Sequence, residues 1–219
     1  MKHTLDGKVL QINSRLVEKN FTGSIVSFMV KEAFNMEVLK KKWSHYFNTL
    51  DIRKTGLITR EDVDQVASNF CKIEGLEEQS AKIETDKIHK WWNTYFLKGR
   101  DYLTEEEFIE DMEKEYTDDK LLFTLTMRNA VKEIVSIMIP NAERSRIITF
   151  NEYDKVSYAW GQFNERNLQK AFAMYKAEND EISYEKYIEY WTRFLTSEDP
   201  SEEDYVMEAY EAGLFYDII

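Results

Sequence analysis

LITREDV at 57–63, YLTEEEF at 102–108, IITFNEY at 147–153 and EISYEKY at 181–187 are four versions of one heptad. Each runs an aliphatic residue, Thr or Ser, two variable residues, an acid in most copies, and a closing apolar or aromatic residue. Taken singly, each is a helix start. Thr-x-x-Glu is a capping box, in which the Thr hydroxyl accepts from the third helical amide and the Glu reaches back. Thr104 with Glu107 and Thr149 with Glu152 fit it fully, Thr59 with Asp62 has the shorter acid, and Ser183 with Lys186 has none. The spacing says more than the caps. The aliphatic residues stand at 58, 103, 148 and 182, and an apolar or aromatic helix end precedes each of the first three: Phe47 and Leu50, Trp92 and Tyr95, Ile137 and Ile139.

A helix, a twelve-residue loop whose eighth residue is aliphatic, and a capped helix make up the EF-hand plan. The eighth residues of neighbouring loops pair in a short antiparallel bridge, so Ile58 should face Leu103 and Ile148 should face Ile182. The expected fold is all-α: four EF-hand-like helix-loop-helix units in two pairs, compact, joined by bridges between paired loops. Apolar residues recur at helical spacing over Met36–Leu50 (with Asn35 as N-cap), Glu77–Phe96, Asp119–Ile139, Asn164–Tyr175 and Tyr184–Phe194. In the third of these, Leu121, Leu122 and Leu125 join Val131, Ile134, Val135 and Met138 as apolar positions. The run EYTDD at 115–119 interrupts the pattern and divides the chain. It leaves an N-terminal extension (1–35), a first pair (36–116) and a second pair with a C-terminal helix and tail (117–219).

Composition supports this reading. Only 7 Gly and 2 Pro accompany 13 Phe, 13 Tyr and 5 Trp in 219 residues, which favours helices around an aromatic core. A net charge of −12 disfavours nucleic acid and anionic membranes, which would repel it. The single Cys71 allows no internal disulfide and no Cys/His zinc cluster. The N-terminal stretch is polar, and FTGSIVSFMV at 21–30 is far short of a membrane span. A reducing, cytoplasmic setting is the expectation.

Calcium takes six to eight oxygens from loop positions one, three, five, seven, nine and twelve, with Gly at six. The first loop, DIRKTGLITRED, offers Asp51, Thr55, the Leu57 carbonyl, Thr59 and Asp62, with Gly56 in place. Arg53 stands at position three, where a carboxylate or Asn belongs. A guanidinium about 5 Å from a divalent ion costs on the order of several kcal/mol unless it swings into solvent. The third loop, NAERSRIITFNE, offers Asn141, Glu143, Ser145, the Ile147 carbonyl, Thr149 and Glu152, but puts Arg146 where Gly is needed. The second loop, FLKGRDYLTEEE, and the fourth, YKAENDEISYEK, begin with Phe96 and Tyr175 and lack a ligand set. The frame is kept and the metal chemistry is mostly lost.

On four such units in one chain, and on the closing run YWTRFLTSEDP at 190–200 with the apolar tail GLFYDII at 213–219, residues 36–219 resemble the sarcoplasmic calcium-binding proteins. Calexcitin, the coelenterazine-binding proteins and the photoproteins are relatives. The resemblance implies an EF-hand protein with at most one or two weak calcium or magnesium sites. It also implies an alternative: a carrier of an apolar small molecule, luciferin- or terpenoid-like, in a cavity between the pairs. A protein partner is compatible with either. No Gly-rich phosphate cradle and no Ser/His/Asp set stands in the sequence, so catalysis is not the expected role.

Overall fold

The computed structural model describes residues 35–216. The proposed extension lies, apart from Asn35, outside the described residues, as do the last three residues of the apolar tail. The first described helix, α1, covers 35–50 and buries Leu39, Trp43, Phe47 and Leu50 along one stripe. Then follow β1 (Leu57–Thr59), α2 (Arg60–Ile73), α3 (Glu78–Trp92), a widened turn at Asn93–Leu97, β2 (Tyr102–Thr104) and α4 (Glu105–Asp118). The second half repeats the plan with α5 (Lys120–Met138), α6 (Ala142–Ser145), β3 (Ile147–Thr149), α7 (Phe150–Ala159), α8 (Glu165–Met174), β4 (Glu181–Ser183), α9 (Tyr184–Thr196) and α10 (Tyr205–Glu211).

The strands pair β1 with β2 and β3 with β4, antiparallel, with Ile58 opposite Leu103 and Ile148 opposite Ile182. This is the register read from the sequence. All four aliphatic side chains are buried, so each bridge anchors two loops and their exit helices to the core. The caps form as well: Glu107 accepts from the Thr104 amide at 2.9 Å, and Glu152 from the Thr149 amide at 2.8 Å. Even the shorter Asp62 reaches the Thr59 amide, at 2.9 Å.

Two expectations are corrected. The segment Glu77–Phe96 is not one regular helix, because Asn93–Leu97 opens to the five-residue spacing of a π-turn. The wider turn lets Phe96 and Leu97 both point inward, and Phe96 packs its ring against Tyr46, Trp91 and Phe108. The second correction concerns α5, whose buried stripe is Phe123, Met127, Ala130, Val131 and Val135. Leu121, Leu122 and Leu125 fall outside that stripe and, among the described residues, are exposed.

The halves are tied through α1. Trp43 donates its indole N–H to the Leu195 carbonyl at 2.9 Å and packs its ring on Phe123 and Tyr116. Lys42 is buried beneath the C-terminal segment, where it meets Asp204 at 2.8 Å and the Ser197 carbonyl at 2.8 Å. Asp204 also caps α10, accepting from the Met207 amide at 2.9 Å. Lys42→Ala strands a buried carboxylate, and chemical denaturation is expected to show a loss of about 3 kcal/mol. Lys41→Ala, which removes a solvent-exposed pair with Glu211, should change stability by less than ~1 kcal/mol.

Candidate functional site

The first loop hangs from the end of α1, where the Asp51 amide donates to the Phe47 carbonyl at 2.9 Å. Asp51 is buried and turns the chain: one oxygen accepts from the Thr55 amide at 3.0 Å, the other from the Gly56 amide at 2.8 Å. Gly56 takes the positive φ of 79° that this turn requires. The Leu57 carbonyl accepts from the Thr55 hydroxyl at 3.1 Å. At the far side Asp62 is fully buried, and one of its oxygens accepts from the Thr59 amide and hydroxyl at 2.9 and 2.8 Å.

The five residues proposed as ligands, Asp51, Thr55, Leu57, Thr59 and Asp62, do share one small loop. Arg53 is folded in among them. Its backbone amide and Nε both donate to the second Asp62 oxygen, at 3.1 and 3.3 Å, and its Nη2 donates to the Thr59 hydroxyl at 2.7 Å. Glu61 lies 3.6 Å from the same nitrogen. The bond to Asp62 raises the guanidinium's already high pKa. Both carboxylates are thus engaged in hydrogen bonds, and a guanidinium lies between the ninth and twelfth positions of the loop. Among the described residues no group of three or more His, Cys, Asp or Glu is arranged to hold a metal.

The candidate residues of the third loop are arranged differently. In the third, α6 replaces the open loop with a helical turn, leaving Asn141, Glu143 and Ser145 exposed. Ser145 spends its hydroxyl on the Ile147 carbonyl at 3.0 Å, and Glu152 is taken up by the cap on Thr149. Arg146 adopts φ 64°, the left-handed conformation for which the plan specifies Gly. In the second loop Arg100 turns back to the Phe96 and Leu97 carbonyls, each at 3.1 Å, and pairs with Asp111.

A different site assembles where the two halves meet. A cavity of about 80 Å³ is bounded by Thr49 of α1, Val135 of α5, Tyr153 and Ser157 of α7, Trp191 of α9, and Phe215. Its walls are mainly apolar, yet the Tyr153 hydroxyl and the Trp191 Nε1 are buried without a hydrogen-bond partner among the described residues. Ser157 and Tyr175 approach the Tyr153 hydroxyl closely enough to affect its acidity, but not in bonding geometry. Burial raises the Tyr153 pKa, so this group is a neutral donor at physiological pH. Trp191 also lies close enough to the Tyr187 hydroxyl to lower its pKa against the rise that burial causes. The lining of this mainly apolar space thus carries a few polar groups, as a specific small-molecule pocket needs. Sequence periodicity placed these aromatics on inward faces but could not show that they leave a gap.

The C-terminal segment closes one side of this cavity. Tyr210 bonds the Thr49 hydroxyl at 2.5 Å, and the Tyr216 hydroxyl meets His45 Nδ1 at 2.6 Å. His45 stacks on Tyr210 at 5.2 Å, and its Nε2 is buried without a partner among the described residues. Burial lowers the His45 pKa, Lys41 lowers it further, and Glu211 partly offsets both.

No family model matches the chain. A sarcoplasmic calcium-binding protein of Mizuhopecten yessoensis is 28% identical over 179 residues, spanning 80% of this chain and 99% of that protein. Among solved structures, the coelenterazine-binding protein of Renilla muelleri superposes with a TM-score of 0.61 at 15% identity, covering 81% of this chain and 96% of the other. A sarcoplasmic calcium-binding protein from amphioxus gives 0.53 at 15% identity, over 83% and 98% of the two chains. The resemblance read from the motifs is therefore found again in an aligned sequence and in the fold.

Two outcomes follow from the geometry. Arg146→Gly should raise stability by about 1 kcal/mol in denaturant titration, since Gly takes the left-handed conformation without the Cβ clash. For His45 the folded pKa lies below the unfolded value of 6.5, so the unfolded chain binds protons more readily. Stability should then fall as pH drops from about 7 to 5, and His45→Gln should flatten that part of the profile.

Proposed function

We propose that this chain is an EF-hand protein of the sarcoplasmic type that acts through the cavity between its pairs, as a carrier of a small apolar molecule. Divalent cations bind its loops weakly at most. The observation that supports this reading is the mainly apolar space at the junction of the halves, lined by Tyr153 and Trp191, whose buried polar atoms lack a hydrogen-bond partner in good geometry among the described residues. A ligand with a compact, mainly apolar body and one or two acceptor atoms suits such a lining. A similar fold in the coelenterazine-binding protein of Renilla muelleri, which by its name binds coelenterazine, is consistent with such a role.

The cavity's ~80 Å³ exceeds the room one water needs by several-fold. It is small beside the ~300 Å³ and more of pockets for drug-sized ligands. The favoured ligand is therefore compact, or it enters with displacement of the Phe215 side of the wall.

Trp191 and Trp160 line the space, so binding should quench or shift tryptophan emission. Titrating the full chain with a panel of small terpenoid and heteroaromatic compounds should give saturable fluorescence changes and a rise in Tm. Val135→Phe, which fills the cavity from α5, should weaken binding by about tenfold or more, equal to ~1.4 kcal/mol, while leaving the helical circular dichroism unchanged. Absence of saturable binding across the panel, together with no co-purifying small molecule in native mass spectrometry, would remove the carrier role.

A further inference from the structure

The side chain that spoils the first loop as a calcium site is placed as a ligand is placed. We propose that the Arg53 guanidinium is the resident cation of this loop, holding the first hand closed with no metal. This inference is independent of the carrier reading.

Three observations support it. First, the guanidinium bonds the loop's ninth and twelfth residues together. Nη2 donates to the Thr59 hydroxyl at 2.7 Å and Nε to Asp62 at 3.3 Å. These are two of the positions through which a divalent ion joins a loop to its exit helix. Second, Asp62 is completely buried, and Arg53 is the cation paired with it. A buried carboxylate needs a countercharge, and here the chain supplies its own. Third, the rest of the first hand has the arrangement of a closed one. Gly56 is at positive φ, Asp51 holds two loop amides, and Ile58 is in register with Leu103. The side chain lies along the loop with its outer face in solvent, and its Nε and Nη2 bond to Asp62 and Thr59.

Chemically, the exchange is of one divalent ion for one monovalent group. It accords with the shortened acid at position twelve and the missing oxygen at position three. A planar guanidinium donates to Thr59 and Asp62 at once, which a lysine ammonium on its flexible stem would do less well. The same substitution makes the first hand insensitive to calcium, because an entering ion must first displace a covalently tethered competitor.

The test is a set of position-53 variants of the full chain, each titrated with calcium and with magnesium by calorimetry and thermal unfolding. The wild type is expected to show no shift in Tm in ~5 mM calcium. In metal-free buffer, Arg53→Ala should lower Tm by several degrees, and Arg53→Lys should fall between it and the wild type. Arg53→Asp adds the missing third-position carboxylate and removes the competitor. It should be the least stable without metal, and calcium should recover several degrees of its Tm through ligand binding to the folded state. If Arg53→Asp does not fold without metal, refolding it in calcium gives the same readout. Arg53→Asn serves as a milder second variant.

The proposal is overturned if wild-type protein binds calcium in the first loop, seen as a heat of binding that Asp62→Asn abolishes. It is equally overturned if Arg53→Ala leaves metal-free stability unchanged, or if neither Arg53→Asp nor Arg53→Asn gains at least about tenfold in calcium affinity over the wild type.

Discussion

The two antiparallel bridges, Ile58 with Leu103 and Ile148 with Ile182, are the contacts on which the remaining structure depends. Each joins two loops that are far apart in sequence and buries an aliphatic pair at their meeting point. The bridge fixes the height of both exit helices at once, because the Thr or Ser that follows each aliphatic residue is the helix N-cap. Backbone pairing, burial and capping are thus combined in three consecutive residues, four times over. In a metal-binding hand the ion would share this work. Hydrophobic burial and hydrogen bonds hold the bridges and caps here, in a frame whose loops carry Phe96, Tyr175, Lys98 and Arg146 at positions where the EF-hand plan places ligands or Gly.

The charged residues in the loops are engaged rather than idle. Arg53 crosses to Asp62 and Thr59, and Arg100 caps the carbonyls at the end of the π-turn. Arg146 pairs with Glu185 of α9 at 3.1 Å. Carboxylates crowded into a loop without metal repel one another, and cations in their place remove that repulsion.

Much of the architecture was legible in the chain. Four similar heptads, spaced by 45, 45 and 34 residues and each with an aliphatic residue next to a capping Thr or Ser, were enough to place the hands, the bridges and the register. Such features are local and periodic, so one sequence carries them. Where periodicity misled, neighbours intervened. Leu121, Leu122 and Leu125 have helical spacing, yet among the described residues they stand exposed. The stretch from Glu77 to Phe96 reads as one helix, yet the need to bury Phe96 and Leu97 together widened its last turn.

The sequence by itself determined the frame and marked Arg53 and Arg146 as misfits at their loop positions. Only the tertiary structure decided what those misfits do. The direction of a long side chain depends on which partners lie within reach, and Arg53 found its partners in Thr59 and Asp62 rather than in solvent. The cavity is likewise a property of no single segment. Four helices and Phe215 each contribute a few side chains, and the space left between them depends on how those elements pack.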